Sequence, residues 1–117
     1  MRGAEPWRSD PQLVEEDEFA KALGRPATFI AKLVANGTLF VVERNGARLY
    51  PSFFADTTLE RRQLSAVVRL LRDLDNCTKW QFFISGKGSL GGLTPLQALR
   101  QGKLRQVKVT AEGFVER

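Results

Sequence analysis

Along most of the chain apolar residues recur at three- and four-residue spacing, the mark of helices with one buried face. One central stretch instead clusters β-prone residues around an Asn-Gly pair. A first helix is predicted over residues 14–23, with Phe19, Ala20 and Leu23 on one face. Its acidic opening, Glu15-Glu16-Asp17-Glu18, suits the positive end of a helix dipole. Those carboxylates read as a solvated helix start rather than as a metal or acid–base cluster. Gly24-Arg25-Pro26 breaks the helix. A second one follows, with Pro26 near its start, Ala27, Ile30, Leu33 and Val34 at helical spacing, and Asn36-Gly37 at its end. Residues 1–12 contain Gly3, Pro6 and Pro11 and read as a flexible arm.

Leu39 to Arg44 and Ala47 to Tyr50 flank Asn45-Gly46, a strong hairpin signal. A two-residue turn pairs Glu43 with Arg48, Val42 with Leu49 and Val41 with Tyr50, all favourable across strands. Pro51 ends the second strand. Phe53 and Phe54, just beyond, are expected to seal the two halves of the chain together.

Thr57 and Glu60 have the spacing of a capping box. They open the longest predicted helix, residues 58–75, with Leu64, Val67, Val68, Leu71 and Leu74 on its stripe. Leu70 lies off that stripe, which marks this helix as a dimer surface. A fourth helix is predicted at about 78–85. Trp80, Phe82 and Phe83 there read as core rather than as platforms for single-stranded nucleic acid. A glycine loop follows, and then a helix at 95–101. Thr94 caps it, Pro95 takes its first position, Gln97 completes a capping box and Gly102 stops it. Leu104, Val107, Ala111 and Phe114 have helical spacing, whereas Gln106 to Thr110 alternates like a strand.

The totals narrow the chemistry. At 117 residues the chain is one domain or two very small ones. No apolar run approaches the roughly 18 residues of a membrane span, and the N-terminus lacks a signal-like segment. A soluble cytoplasmic protein is expected, with no membrane partner. The sequence holds no histidine and one cysteine, Cys77. Cys/His zinc sites, histidine acid–base chemistry and Ser-His-Asp triads are therefore excluded, as is an internal disulfide. No catalytic residue, metal or cofactor is assigned. Gly86-Lys87-Gly88-Ser89-Leu90-Gly91 spells G-x-G-x-x-G, but no strand precedes it, so the glycines read as a tight turn.

Charge is unevenly spread. Residues 1–20 carry two basic and six acidic side chains, net −4; residues 21–52 carry five and one, net +4. That basic block fits a nucleic-acid footprint. Two short helices followed by a hairpin make a small winged helix-turn-helix, whose second helix presents its exposed face to a major groove. Candidate DNA-binding residues are Arg25, Thr28 and Lys32 on the turn and second helix, and Arg44, Asn45 and Arg48 on the wing.

Phe19-Ala20-Lys21-Ala22-Leu23-Gly24-Arg25-Pro26-Ala27-Thr28, followed by Leu33 to Leu39, resembles the MerR/excisionase type of winged helix over roughly residues 14–54. The C-terminal part resembles the toxin-binding domain of the Xre/MbcA/ParS antitoxin family over about residues 59–117. Trp80, Leu90-Gly91-Gly92-Leu93-Thr94-Pro95, Leu99, Gly102 and Val107 carry that likeness. The resemblance implies a helix over 104–116. It also implies partner-binding positions at Leu90, Gly91, Gly92, Thr94, Pro95 and Gly102. The implied partner is a toxin that consumes NAD.

The expected architecture is mainly α: an arm (1–12), a winged helix-turn-helix with one β-hairpin (13–56) and a C-terminal helical bundle (57–117). The expected function is that of a DNA-binding, antitoxin-like transcriptional regulator without enzymatic activity. Double-stranded DNA, a toxin and a second copy of the chain are its expected partners, because one short recognition helix reads few base pairs alone. A stand-alone DNA-binding regulator, and an interaction module that has lost DNA, remain as alternatives.

Overall fold

A computed structural model describes residues 12–116. The expected arm lies almost wholly outside the described residues. Among those described, six α-helices accompany one small antiparallel sheet. No helix is long and apolar enough to cross a membrane.

Leu13–Val14 form a short strand, β1, before the first helix, α1, Glu16–Leu23. This corrects the predicted helix start at residue 14. Val14 is buried against Tyr50 in the sheet instead. Gly24, at φ 72°, closes α1 in the left-handed conformation. The second helix, α2, spans Ala27–Ala35, with Pro26 extended at its N-cap and Ile30 fully buried.

The hairpin joins β2, Val42–Arg44, to β3, Ala47–Pro51. Asn45 and Gly46 have φ of 53° and 81°, the two positive values that a type I′ turn requires. Val42 faces Leu49 and Glu43 faces Arg48, as the spacing predicts. The ladder stops at Val42–Leu49, so the expected pair of Val41 with Tyr50 does not form. Tyr50 pairs with Val14 and Pro51 with Leu13, giving the strand order β1-β3-β2. Tyr50 also stacks on Phe19 of α1, centroids 5.2 Å apart, which fixes the sheet on the first helix.

The next helix, α3, covers only Arg61–Leu70. The Thr57–Glu60 capping box does not form. Instead Asp56 takes the local donors: Thr58 donates its backbone N–H (2.9 Å) and hydroxyl (2.7 Å) to Oδ1. This turn delays the helix by three residues. At the other end the chain turns at Leu71, and Asp75 accepts from the Thr78 N–H at 2.7 Å to cap α4, Asn76–Ile84. The helix predicted over 58–75 is thus cut short at both ends, and α4 begins ahead of its expected start. Leu70, expected on a dimer surface, is half-buried and packs against the core. Beyond the glycine loop lie α5, Pro95–Arg100, and α6, Leu104–Val115, now the longest helix. The Thr94–Gln97 capping box forms reciprocally, at 3.1 and 2.9 Å. Gly102, at φ 77°, follows α5 as its stop.

Buried apolar residues from both halves form one continuous core. Phe53 sits at its centre. Its ring stacks parallel to Trp80 at 6.0 Å and meets Phe83 at 4.9 Å, Phe54 at 4.8 Å and Phe40 at 6.4 Å. Trp80, Phe82 and Phe83 are at most 5% exposed, so they are core. A second tie is polar. Arg100 Nη2 donates to Asp56 Oδ2 at 2.6 Å, and Arg100 Nε donates to Thr58 Oγ1 at 2.9 Å. Burial works to raise the Asp56 pKa. The two Thr58 hydrogen bonds and the Arg100 guanidinium outweigh it and hold the carboxyl below its ordinary range.

Phe53→Ala is expected to destabilise the fold by about 3–5 kcal/mol, read by chemical denaturation, with both halves melting together. Asp56→Ala is expected to cost about 1–3 kcal/mol at neutral pH. A carboxyl with a depressed folded pKa stabilises above its unfolded value and loses that contribution as pH falls through the folded one. The gap between wild type and Asp56→Ala should therefore narrow below about pH 4. Melting curves across pH 2–7 measure it.

Candidate nucleic-acid interface

The packing of α2 leaves one stripe free. Ile30 points inward and Leu33 and Val34 are half-buried, while Thr28, Ala31, Lys32 and Ala35 are exposed at three- and four-residue spacing. Ala31, Val34 and Ala35 form one wall of a groove; Arg48 and Tyr50 of β3 form the other, and Glu16 closes an end. Small alanine side chains keep this groove open. The groove therefore sets Arg48 opposite the Ala31 and Ala35 edge of the α2 stripe; Lys32 lies on that stripe but not in the groove lining.

Arg25 is held in a defined place. Its guanidinium lies over the Phe29 ring, 4.7 Å from the centroid. Arg61, at the start of α3, lies over the same ring at 5.6 Å. The pair puts two fixed positive charges beside the N-terminal end of α2. Arg61 is not among the DNA-binding candidates that the sequence suggests. No local pattern links it to Arg25, because a tertiary contact brings the two together.

The hairpin divides its three candidates. Arg48 faces Glu43 across the strands, whereas Arg44 faces Ala47 on the opposite side of the ribbon. Asn45 sits exposed at the tip. Among the described residues no ion pair engages Arg25, Lys32, Arg44 or Arg48. The groove is not uniformly basic, since Glu16 lines it together with Arg48.

The C-terminal candidates are placed differently. Leu90 and Pro95 are buried in the core, and the Thr94 hydroxyl is the α5 cap. Gly91 and Gly92 adopt φ of 66° and 89°. The loop closes on itself: Gly92 N–H donates to the Lys87 carbonyl at 2.9 Å, and Lys87 N–H to the Leu93 carbonyl at 3.0 Å. A Cβ on Gly86 would come within 2.6 Å of the Gly92 oxygen, so this approach needs glycine. Gly91, Gly92 and Gly102 remain exposed. The motif thus builds a loop and a helix start, and what it offers a partner is mainly exposed backbone. A turn of 3₁₀-helix at Gly88–Leu90 occupies the G-x-G-x-x-G segment, which follows a helix rather than a strand.

Cys77 is exposed at the start of α4, and no acidic, cysteine or histidine cluster that could hold a metal occurs among the described residues.

No family model matches this chain, and no curated protein matches it by sequence. The fold is similar to the NMR structure of Rv2175c, with a TM-score of 0.72, covering 98% of this chain and 86% of that one. The two sequences are 20% identical, so the likeness speaks for the fold alone.

Proposed function

We propose that this chain is a DNA-binding, antitoxin-like transcriptional regulator. In this reading residues 13–56 act as a winged helix-turn-helix on operator DNA. The helices of 57–117 bind a protein partner, a toxin in the antitoxin case, and the chain works as a dimer without enzymatic chemistry. One observation carries the DNA part: the exposed stripe of α2 lies across an open groove from Arg48, with Arg25 fixed on Phe29 at its leading end. The stripe would enter a major groove, and Arg25 and Arg61 would meet phosphates beside it. The partner part rests on the Leu-Gly-Gly-Leu-Thr-Pro resemblance. It is helped by Val109 of α6, which is 62% exposed and lines a groove with Gly88 and Ser89, just ahead of that motif.

A second reading has an observation of its own. Glu16, which lines the groove with Arg48, would repel phosphates, and it favours a groove that takes a protein segment. Binding to the DNA just upstream of the reading frame, measured by fluorescence anisotropy at two salt concentrations against a scrambled duplex, separates the two. The regulator reading expects a salt-sensitive preference of at least about a thousandfold. Equal or absent binding moves the function to the protein partner.

Lys32→Ala is expected to weaken binding to all duplexes and to flatten the log–log salt slope by about one, with no change in melting temperature. An unchanged slope removes Lys32 from the contacts.

A further inference from the structure

A second concavity lies on the far side of Arg48. It is an open cleft of about 540 Å³ at the seam between the hairpin and the C-terminal helices. Leu39, Phe40 and Val68 form its floor. Three cations line it: Arg48 from β3, Arg72 from the turn after α3 and Lys79 from α4. Glu43 is the one carboxylate in the lining.

Lys79 is the informative residue. It is half-buried, its Nζ lies 6.0 Å from the Phe40 ring centroid, and it donates to the neutral Asn76 Oδ1 at 3.2 Å. Burial lowers its pKa, and the nearby charges of Asp73 and Asp75 oppose this only in part. No ion pair engages Lys79 among the described residues. A partly desolvated ammonium beside an aromatic floor, with two guanidiniums in the same lining, feels Asp73 and Asp75 nearby but has no carboxylate in direct contact among the described residues. The volume falls within the range of small-molecule sites, and cations above an apolar floor ask for a molecule with both characters.

We infer that this cleft binds an amphipathic organic anion, its acid group between Lys79, Arg72 and Arg48 and its apolar body on Leu39, Phe40 and Val68. Arg48 also borders the groove along α2, so an occupant that engages it competes with whatever that groove holds. This last consequence rests on the function proposed above; occupancy of the cleft does not.

The test needs no DNA to succeed. The probes are 1-anilinonaphthalene-8-sulfonate and its uncharged analogue N-phenyl-1-naphthylamine, titrated into the full chain by fluorescence, with amide shifts followed by NMR. The sulfonate is expected to saturate at one per chain, to bind at least about tenfold more tightly than the neutral dye, and to shift Phe40, Val68 and Lys79. Lys79→Gln should weaken it roughly tenfold. Arg72→Gln, at an exposed position, should do likewise should Lys79→Gln fail to fold. Equal binding of both dyes, no saturable binding, no loss in either variant, or shifts confined to the groove at Val109 and Phe114 would overturn the inference. So would a short duplex that shifts the cleft residues where the sulfonate does not, since the cleft would then be a track for nucleic acid.

Discussion

Everything in this molecule turns on the burial of Phe53. It leaves the hairpin in a short 3₁₀ turn, Ser52–Ala55, and inserts between the sheet-bearing half and the helical half. Trp80 lies flat against it and Phe83 and Phe54 flank it. A chain this short buries a limited apolar area, and this one has no disulfide to supplement it. Large aromatic side chains supply much area per residue, so a few rings can hold two small halves as one body. The Asp56–Arg100 bridge adds direction to that apolar contact. Rings can slide over one another; a carboxylate that accepts three hydrogen bonds cannot turn freely. Together they set the orientation of the hairpin relative to α3 and α5, and so the position of Arg48 between its two concavities.

Local chemistry was legible, and tertiary chemistry was not. Asn45-Gly46 and the pairing of Glu43 with Arg48 could be read from the residues because a two-residue turn fixes its own register. The Thr94–Gln97 box and the Gly102 stop were legible for the same reason: donors and acceptors lie within four residues. The Thr57–Glu60 box had the same spacing and failed. Asp56, one residue earlier, competes better because Arg100 stabilises its carboxylate from 44 positions away. β1 was missed because two residues carry no period, and only pairing with Tyr50 and Pro51 defines them.

The candidate interface shows the same division. Exposure of Thr28 and Lys32 follows from helical periodicity, and that part was readable. The placement of Arg44 and Arg48 on opposite sides of the ribbon follows from the register that the turn fixes, whereas the stacking of Arg25 and Arg61 on Phe29 depends on tertiary packing. In the C-terminal half, the residues that carry the resemblance are largely used by the fold. Leu90 and Pro95 are core, and the glycines shape the loop. Their pattern marks a structural unit more directly than a contact surface.

The hairpin tip and the α2 stripe differ in how freely their residues can change. Asn45 and Gly46 both occupy left-handed backbone, where most side chains are strained. Thr28, Ala31, Lys32 and Ala35 sit on regular helix and bury little, so many residue types fit there at small cost. Substitutions therefore cost more at the tip than along the helix. The outline of this surface is set by the hairpin backbone, while the side chains along the helix can be exchanged with the fold intact.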